Sequence, residues 1–366
     1  GLPVLEYTAA LGELSNTAYS VGVAGVHGKT TTTAMIGNVC KEEGLPVYVL
    51  VGSAVSNFGS RSTFVGGDRC FVAETCEYRR HFLSFKPNVI VVTNVDADHL
   101  DYYKDREDVL GAFVEYGRLL PEGGSLVYCA DDEGAAELAR RLTRERSDIS
   151  LVPYGFDAKG VYRIHGYRRE SGLHRFLLGP GRESSATPRA SLELEVKIPG
   201  THSVLNAAAA VAATDLIKTH LGTAVSAEDS VGVHRALASF SGSKRRSEVL
   251  GEAGGVIFAD DYGHHPREIR GTIEGFRDFY RERRIIVDFM SHTYTRTAAF
   301  LEEFADAFGS ADEVILHKIY ASAREKAGRI DGNTLFEKLK GRHSNVRYFH
   351  EVMDAEPYLA EHLAAG

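Results

Sequence analysis

The chain has 366 residues, 43% of them apolar and 25% charged, and a net charge of -8. That length exceeds one compact core and predicts two domains, while the acidic balance without a dominant basic run argues against nucleic acid as a main partner. The four cysteines (Cys40, Cys70, Cys76, Cys129) form no CxxC pair and no metal-ligand spacing. No apolar run reaches the ~18 residues of a bilayer span and no signal peptide opens the chain, so the expected place is the cytoplasm, with reduced thiols and no membrane partner.

From Ala18 to Ala130 short apolar runs alternate with helical stretches. Residues 19–25, 47–51, 70–74, 89–94 and 125–130 read as buried strands, and residues 31–43, 105–119 and 132–142 as helices. That alternation is the pattern of a mostly parallel sheet covered on both faces. Arg140, Arg141, Arg144 and Arg146 close the last of these helices, where cations suit the helix dipole. Residues 161–164, 173–178 and 191–198 then alternate with period two around links such as Gly179-Pro180-Gly181, predicting a small antiparallel set. Helices are expected over 204–221 and 227–240, the second with Ser226 as its N-cap. After Gly242 the alternation restarts, with strands at 255–259, 284–289, 313–319 and 346–350 and helices at 266–281, 297–308 and 333–339. The expectation is an α/β protein: a P-loop-containing, mostly parallel sheet domain over residues 1–242, followed by a smaller Rossmann-like α/β domain over 243–366.

The strongest motif is Gly25-Val26-His27-Gly28-Lys29-Thr30-Thr31-Thr32-Thr33, a glycine turn between a strand and a helix. Glycines let backbone N–H groups converge on phosphate oxygens, and the helix N-terminus adds positive potential. Lys29 is then placed to reach the β- and γ-phosphates and the Thr30 hydroxyl to ligate Mg²⁺. Val23 stands where the strict P-loop has its first glycine, so this is a variant form.

The run resembles the ATP loop of the Mur ligase family, and its histidine variant that of the members joining L-alanine to a muramate. The resemblance implies ATP and Mg²⁺ as cofactors, UDP-N-acetylmuramate and L-alanine as substrates, and amide formation through an acyl phosphate in peptidoglycan precursor synthesis. Activating a carboxylate in this way needs bound metal and cationic side chains to bring two negative groups together.

Two strand ends supply acidic and imidazole groups: Glu74-Thr75-Cys76-Glu77-Tyr78-Arg79-Arg80-His81 and Asn94-Val95-Asp96-Ala97-Asp98-His99. In a parallel sheet both would face the phosphate loop. By the resemblance Glu74 and His99 are metal ligands and Glu77 lies near the muramoyl substrate, with Cys76 standing where many relatives carry aspartate. Read alone, Glu74 is equally an ordinary surface acid, His99 a loop histidine, and Asp96, Asp98 and Asp101 loop hydrogen-bond acceptors or caps.

Gly200-Thr201-His202-Ser203-Val204-Leu205-Asn206 resembles the family's adenine-binding stretch, with His202 and Asn206 matched and Ser203 in place of an asparagine. Lys244-Arg245-Arg246 sits between the two domains, and an arginine's fixed donors suit phosphate oxygens, so Arg246 is the candidate for the γ-phosphate. Asp260-Asp261-Tyr262-Gly263-His264-His265-Pro266 resembles the alanine-ligase signature, implying that Asp261 meets the ribose and His265 the amino acid. His292, Tyr294 and Arg296 match a further family stretch, and Arg296 becomes the candidate for the alanine carboxylate through paired hydrogen bonds.

Family members begin with a Rossmann-like UDP-binding domain. Here the glycine loop comes within the first 28 residues, and the expectation is a chain without that domain. Two other readings stay open: a ligase attaching a recycled tripeptide to the same muramate, and a Mur-like ATP-binding module without ligase activity. The YGHHP wording favours alanine.

Overall fold

The computed structural model describes residues 4–100, 102–170, 172–180, 191–223, 230–321, 325 and 330–363. The chain forms two compact units, Gly1–Ile198 with His202–Lys244, and Pro199–Thr201 with Arg245–Gly366.

In chain order the first unit contains α1 (Tyr7–Ser15), β1 (Tyr19–Ala24), α2 (Lys29–Glu42), β2 (Val47–Val55), β3 (Arg61–Val65), β4 (Cys70–Glu74), β5 (Val89–Val92), α3 (Arg106–Gly117), β6 (Ser125–Cys129), α4 (Glu133–Glu145) and β7 (Ser150–Tyr154). The strands form one seven-stranded sheet in the order β3-β2-β4-β1-β5-β6-β7, parallel except for β3. Period-two alternation sorts side chains onto its two faces. Val72 joins Val21, Val23 and Val49 in one core, whereas Phe71 and Ala73 join Ile90, Phe113 and Leu138 in the other.

Both edge strands were invisible to the pattern, for physical reasons. β7 contains Pro153, which cannot donate to a ladder and is tolerated here because β7 has a neighbour on one side only. β3 is almost wholly exposed and so carries no apolar period.

β8 (Ile164–Glu170), β9 (Leu173–Leu178) and β10 (Leu192–Val196) make the expected antiparallel set. β8 begins where the expected strand at 161–164 ends: a register shift between His165 and Arg168, with Gly166 at φ 57, breaks its alternation. α5 (Thr201–Leu221) and α6 (Ser230–Ala238) complete the unit, while Ser226 and Ala227 lie outside the described residues.

The second unit holds an antiparallel pair, β11 (Glu248–Ala253) and β12 (Val256–Asp260), then α7 (Pro266–Phe279), β13 (Ile286–Phe289), α8 (Tyr294–Ala299), α9 (Leu301–Ala305), β14 (Glu313–Leu316), α10 (Gly332–Lys340), β15 (Val346–Tyr348) and α11 (Glu356–His362). β13, β14 and β15 form a parallel three-stranded sheet packed on Phe289, Phe304, Phe308 and Leu335. The single helix expected over 297–308 is instead two short ones, because Phe300 leaves helical geometry at φ -117, ψ 29. Among the described residues no helix is long and apolar enough to cross a membrane.

Candidate functional site

The register of three adjacent strands builds the site. β1 lies between β4 and β5, pairing Val23 with Glu74 and Ala24 with Val92, so all three strands end at one level. The chain after β1 continues into β2 on one side, and the chain after β4 into β5 on the other. A parallel sheet opens a ligand crevice at such a switch point, beyond the carboxyl ends of its strands.

Into that crevice the glycine loop turns back on itself. Gly25 (φ 134) and Gly28 (φ 82) adopt backbone conformations that disfavour any side chain, and a Cβ on Gly28 would stand 2.8 Å from Asn206 Oδ1. α2 begins at Lys29, with Thr30 and Thr31 in its first turn. The Lys29 ammonium donates to the Gly25 carbonyl, to the Val26 carbonyl at 3.2 Å and to Glu77 at 3.0 Å. Thr30 Oγ1 donates to Glu74 Oε2 at 2.9 Å, and the Gly52 N–H donates to the same oxygen at 3.0 Å.

His99 follows β5 with a left-handed backbone (φ 52), and its Nε2 lies 3.6 Å from Glu77 Oε1 while its ring leans on Tyr78. Glu77 is thus held from two sides, and Tyr103 donates to its carbonyl as well. Burial alone would raise the Glu77 carboxyl; the Lys29 ammonium and the His99 ring outweigh it and hold Glu77 below the usual range. Burial would likewise lower Lys29, and Glu77 with the neighbouring acids reverses that.

Asn94 was legible as a strand-end residue but its task was not. Its side-chain amide brackets the His27 peptide, accepting from the His27 N–H at 2.9 Å and donating to the His27 carbonyl at 2.9 Å. Thr93 donates to that carbonyl too. No spacing rule points to such a bracket, since it depends on β1 and β5 being neighbours. Asn206 is buried beneath the loop and accepts from Thr32 at 3.2 Å, while its Nδ2 has no hydrogen-bond partner among the described residues. His202 lies one turn earlier on α5 and is exposed. Asp96 and Asp98 accept from the backbone of the residues that follow them, and Asp105 rather than either of these caps α3; Asp101 lies outside the described residues.

The structure therefore brings Lys29, Thr30, Glu74, Glu77 and His99 together; Glu74 beside Thr30 is the pairing expected of two ligands of one metal, whereas His99 has Glu77 as its acidic partner. Among the described residues no three His, Cys, Asp or Glu side chains form a metal cage. A hydroxyl and a carboxylate in contact do fit Mg²⁺, which takes oxygen ligands and commonly keeps one or two protein groups beside water and phosphate.

In the second unit, Arg246 lies 3.9 Å from Glu268 and stacks over the Tyr262 ring. Asp261 accepts from the Ser247 and Gly263 N–H groups at 2.7 Å each, and burial raises its carboxyl despite them. His265 caps α7 in a capping box with Glu268. His292 follows β13 and stacks on Tyr320; burial first, then the Arg296 charge, lowers its ring. Arg296 sits in α8, whose first turn is capped by Thr293.

Such a loop, with acids and an imidazole at the neighbouring strand ends and a second α/β unit after it, defines an ATP-dependent ligase architecture. Residues 23–214 match the family model described as the Mur ligase middle domain, and residues 245–366 match the one described as the Mur ligase, glutamate ligase domain. The chain belongs to the Mur ligase family. It is 49% identical over its whole length to the UDP-N-acetylmuramate–L-alanine ligase of Treponema pallidum, covering 74% of that protein, and 39% identical to the enzyme of that name from Borreliella burgdorferi, covering 75%. Among solved structures it is similar to the UDP-N-acetylmuramate–alanine ligase MurC of Thermotoga maritima (TM-score 0.71, 24% identity, 98% of this chain and 75% of that one). It is also similar to the folylpolyglutamate synthase of Mycobacterium tuberculosis complexed with ADP (TM-score 0.71, 15% identity, 96% and 85%).

Proposed function

We propose that the protein joins L-alanine to the carboxylate of UDP-N-acetylmuramate at the expense of ATP. The carrying observation is the meeting of Lys29, Thr30, Glu74, Glu77 and His99 at the ends of β1, β4 and β5, in a chain 49% identical to a ligase of that name. The muramate carboxylate attacks the γ-phosphorus, ADP leaves, and the alanine amine displaces phosphate from the acyl carbon. Lys29 and the loop N–H groups hold the triphosphate, and the bracket of Asn94 keeps the loop in shape. Thr30 and Glu74 would hold Mg²⁺, with His99 the further candidate ligand; the metal supplies charge neutralisation between the phosphate and the carboxylate. Glu77 would orient the muramoyl group and Lys29 together. His202 and Asn206 are assigned to the adenine, Asp261 to the ribose, Arg246 to the γ-phosphate, and His265, His292 and Arg296 to the amino acid.

The test is ADP release across a panel of amino acids with UDP-N-acetylmuramate present, with the recycled tripeptide as one member. Turnover selective for L-alanine is expected. Selectivity for the tripeptide, or ADP release indifferent to both substrates, would replace this reading.

A further inference from the structure

The three parallel strands of the second unit are joined at their carboxyl ends by one imidazole. His317, the residue after β14, is 2% exposed. Its Nε2 lies 2.7 Å from Asp288 Oδ1 on β13, and its Nδ1 lies 2.9 Å from the carbonyl oxygen of Phe349, the residue after β15. A carboxylate and a peptide carbonyl can only accept hydrogen bonds. A neutral imidazole has one N–H, so one of these short contacts would set two lone pairs against each other. Only the doubly protonated ring satisfies both.

We infer that His317 is a buried imidazolium that staples β13 to the segment after β15 and positions the stretch after β13 that carries His292 and leads into α8 with Arg296. Three residues beyond His317, the Tyr320 N–H donates to the Ser291 carbonyl at 2.8 Å and the Thr293 N–H donates to the Tyr320 carbonyl at 2.9 Å. The His292 ring stacks on Tyr320 between those two bonds. The staple thus sits at the root of both segments that present His292. The first turn of α10 closes over its backbone, where a Cβ on Gly332 would stand 2.3 Å from the His317 carbonyl oxygen.

The charges facing the ring are Asp288 from β13 and Asp354 from the turn after β15. Burial alone would depress His317, but the bond and charge of Asp288, the Phe349 carbonyl and Asp354 together raise it above the ordinary histidine value. A raised folded value means that the staple contributes fully below the unfolded value of about 6.5 and is lost as pH climbs through the folded one. His317 is a positioning residue. Its charge state stands on geometry alone, whereas its effect on the amino acid rests on the ligase reading.

The experiment is ¹⁵N NMR of the full chain with labelled histidine, alongside two variants. At neutral pH the His317 ring should show an N–H on both nitrogens. In Asp288→Asn the amide can donate to Nε2 while Nδ1–H keeps Phe349, so the ring should turn neutral with its place unchanged. The Tm difference between wild type and Asp288→Asn should then shrink as pH rises. Asp288→Ala should raise the KM for L-alanine several-fold with the KM for ATP unchanged, and Asp288→Asn should restore most of it. A single ring N–H in the wild type overturns the imidazolium, and an unaltered alanine KM in Asp288→Ala overturns the positioning role. Absence of alanine turnover in the wild type sinks the ligase reading and the positioning role with it, while the ring signals still decide the staple.

Discussion

The Lys29 ammonium lies 3.0 Å from the Glu77 carboxylate, with side chains 12% and 2% exposed. The lysine expected to grip phosphate is therefore already neutralised, and an incoming triphosphate must share it with a buried acid. This pairing makes the phosphate loop an element of stability as well as of binding.

Lys29→Met should accordingly do more than abolish ATP-dependent thermal stabilisation. It leaves a buried carboxylate with the His99 ring as its remaining ion-pair neighbour among the described residues, and removing one partner of such a pair costs about 3–5 kcal/mol. Denaturant titration should show that loss, and adding Glu77→Gln should recover most of it. Unchanged stability in the single variant would show that the pair contributes nothing.

Glu77 also sets an acid limit. Its folded value is depressed, so its contribution is present above the ordinary carboxylate range and is lost as pH falls through the folded value. Wild-type Tm should therefore fall more steeply on acidification than that of Glu77→Gln. Parallel curves would contradict the assignment of the depressed group to Glu77.

Asn94→Ala removes both bonds that bracket His27. The loop N–H groups then lose their fixed aim, and ATP affinity should weaken about tenfold, which corresponds to about 1.4 kcal/mol. Calorimetric titration with ATP measures it. Wild-type affinity would show that Thr93, Lys29 and the glycines hold the loop without the Asn94 side chain.

For the metal, Glu74→Gln keeps the shape but removes the charge beside Thr30. The Mg²⁺ concentration needed for half-maximal ATP-dependent stabilisation should rise, with turnover falling further than nucleotide affinity. An identical Mg²⁺ midpoint would move the metal to other residues.

Arg296→Ala tests the amino-acid side. Losing a charged hydrogen-bonding partner of the alanine carboxylate should raise the KM for alanine by roughly tenfold or more, at about 1.5–3 kcal/mol per charged bond, and leave ATP affinity nearly unchanged. Steady-state kinetics in both substrates decides it, and the reverse pattern would relocate the amino-acid pocket.

The sequence by itself determined the βα rhythm of both units, the glycine loop with Lys29 and Thr30, and the stretches in which the acids and histidines lie. These are local properties: period-two and helical burial patterns, and a turn that only glycine makes cheaply. It could not show β7, because Pro153 reads as a breaker unless its strand is known to be an edge. Nor could it pair the side chains. Glu77 with Lys29, Glu74 with Thr30, Asn94 around His27 and His317 between Asp288 and Phe349 each join residues from separate elements. Those partners depend on strand order and register, such as Val23 standing opposite Glu74, which only the packing of the whole sheet decides.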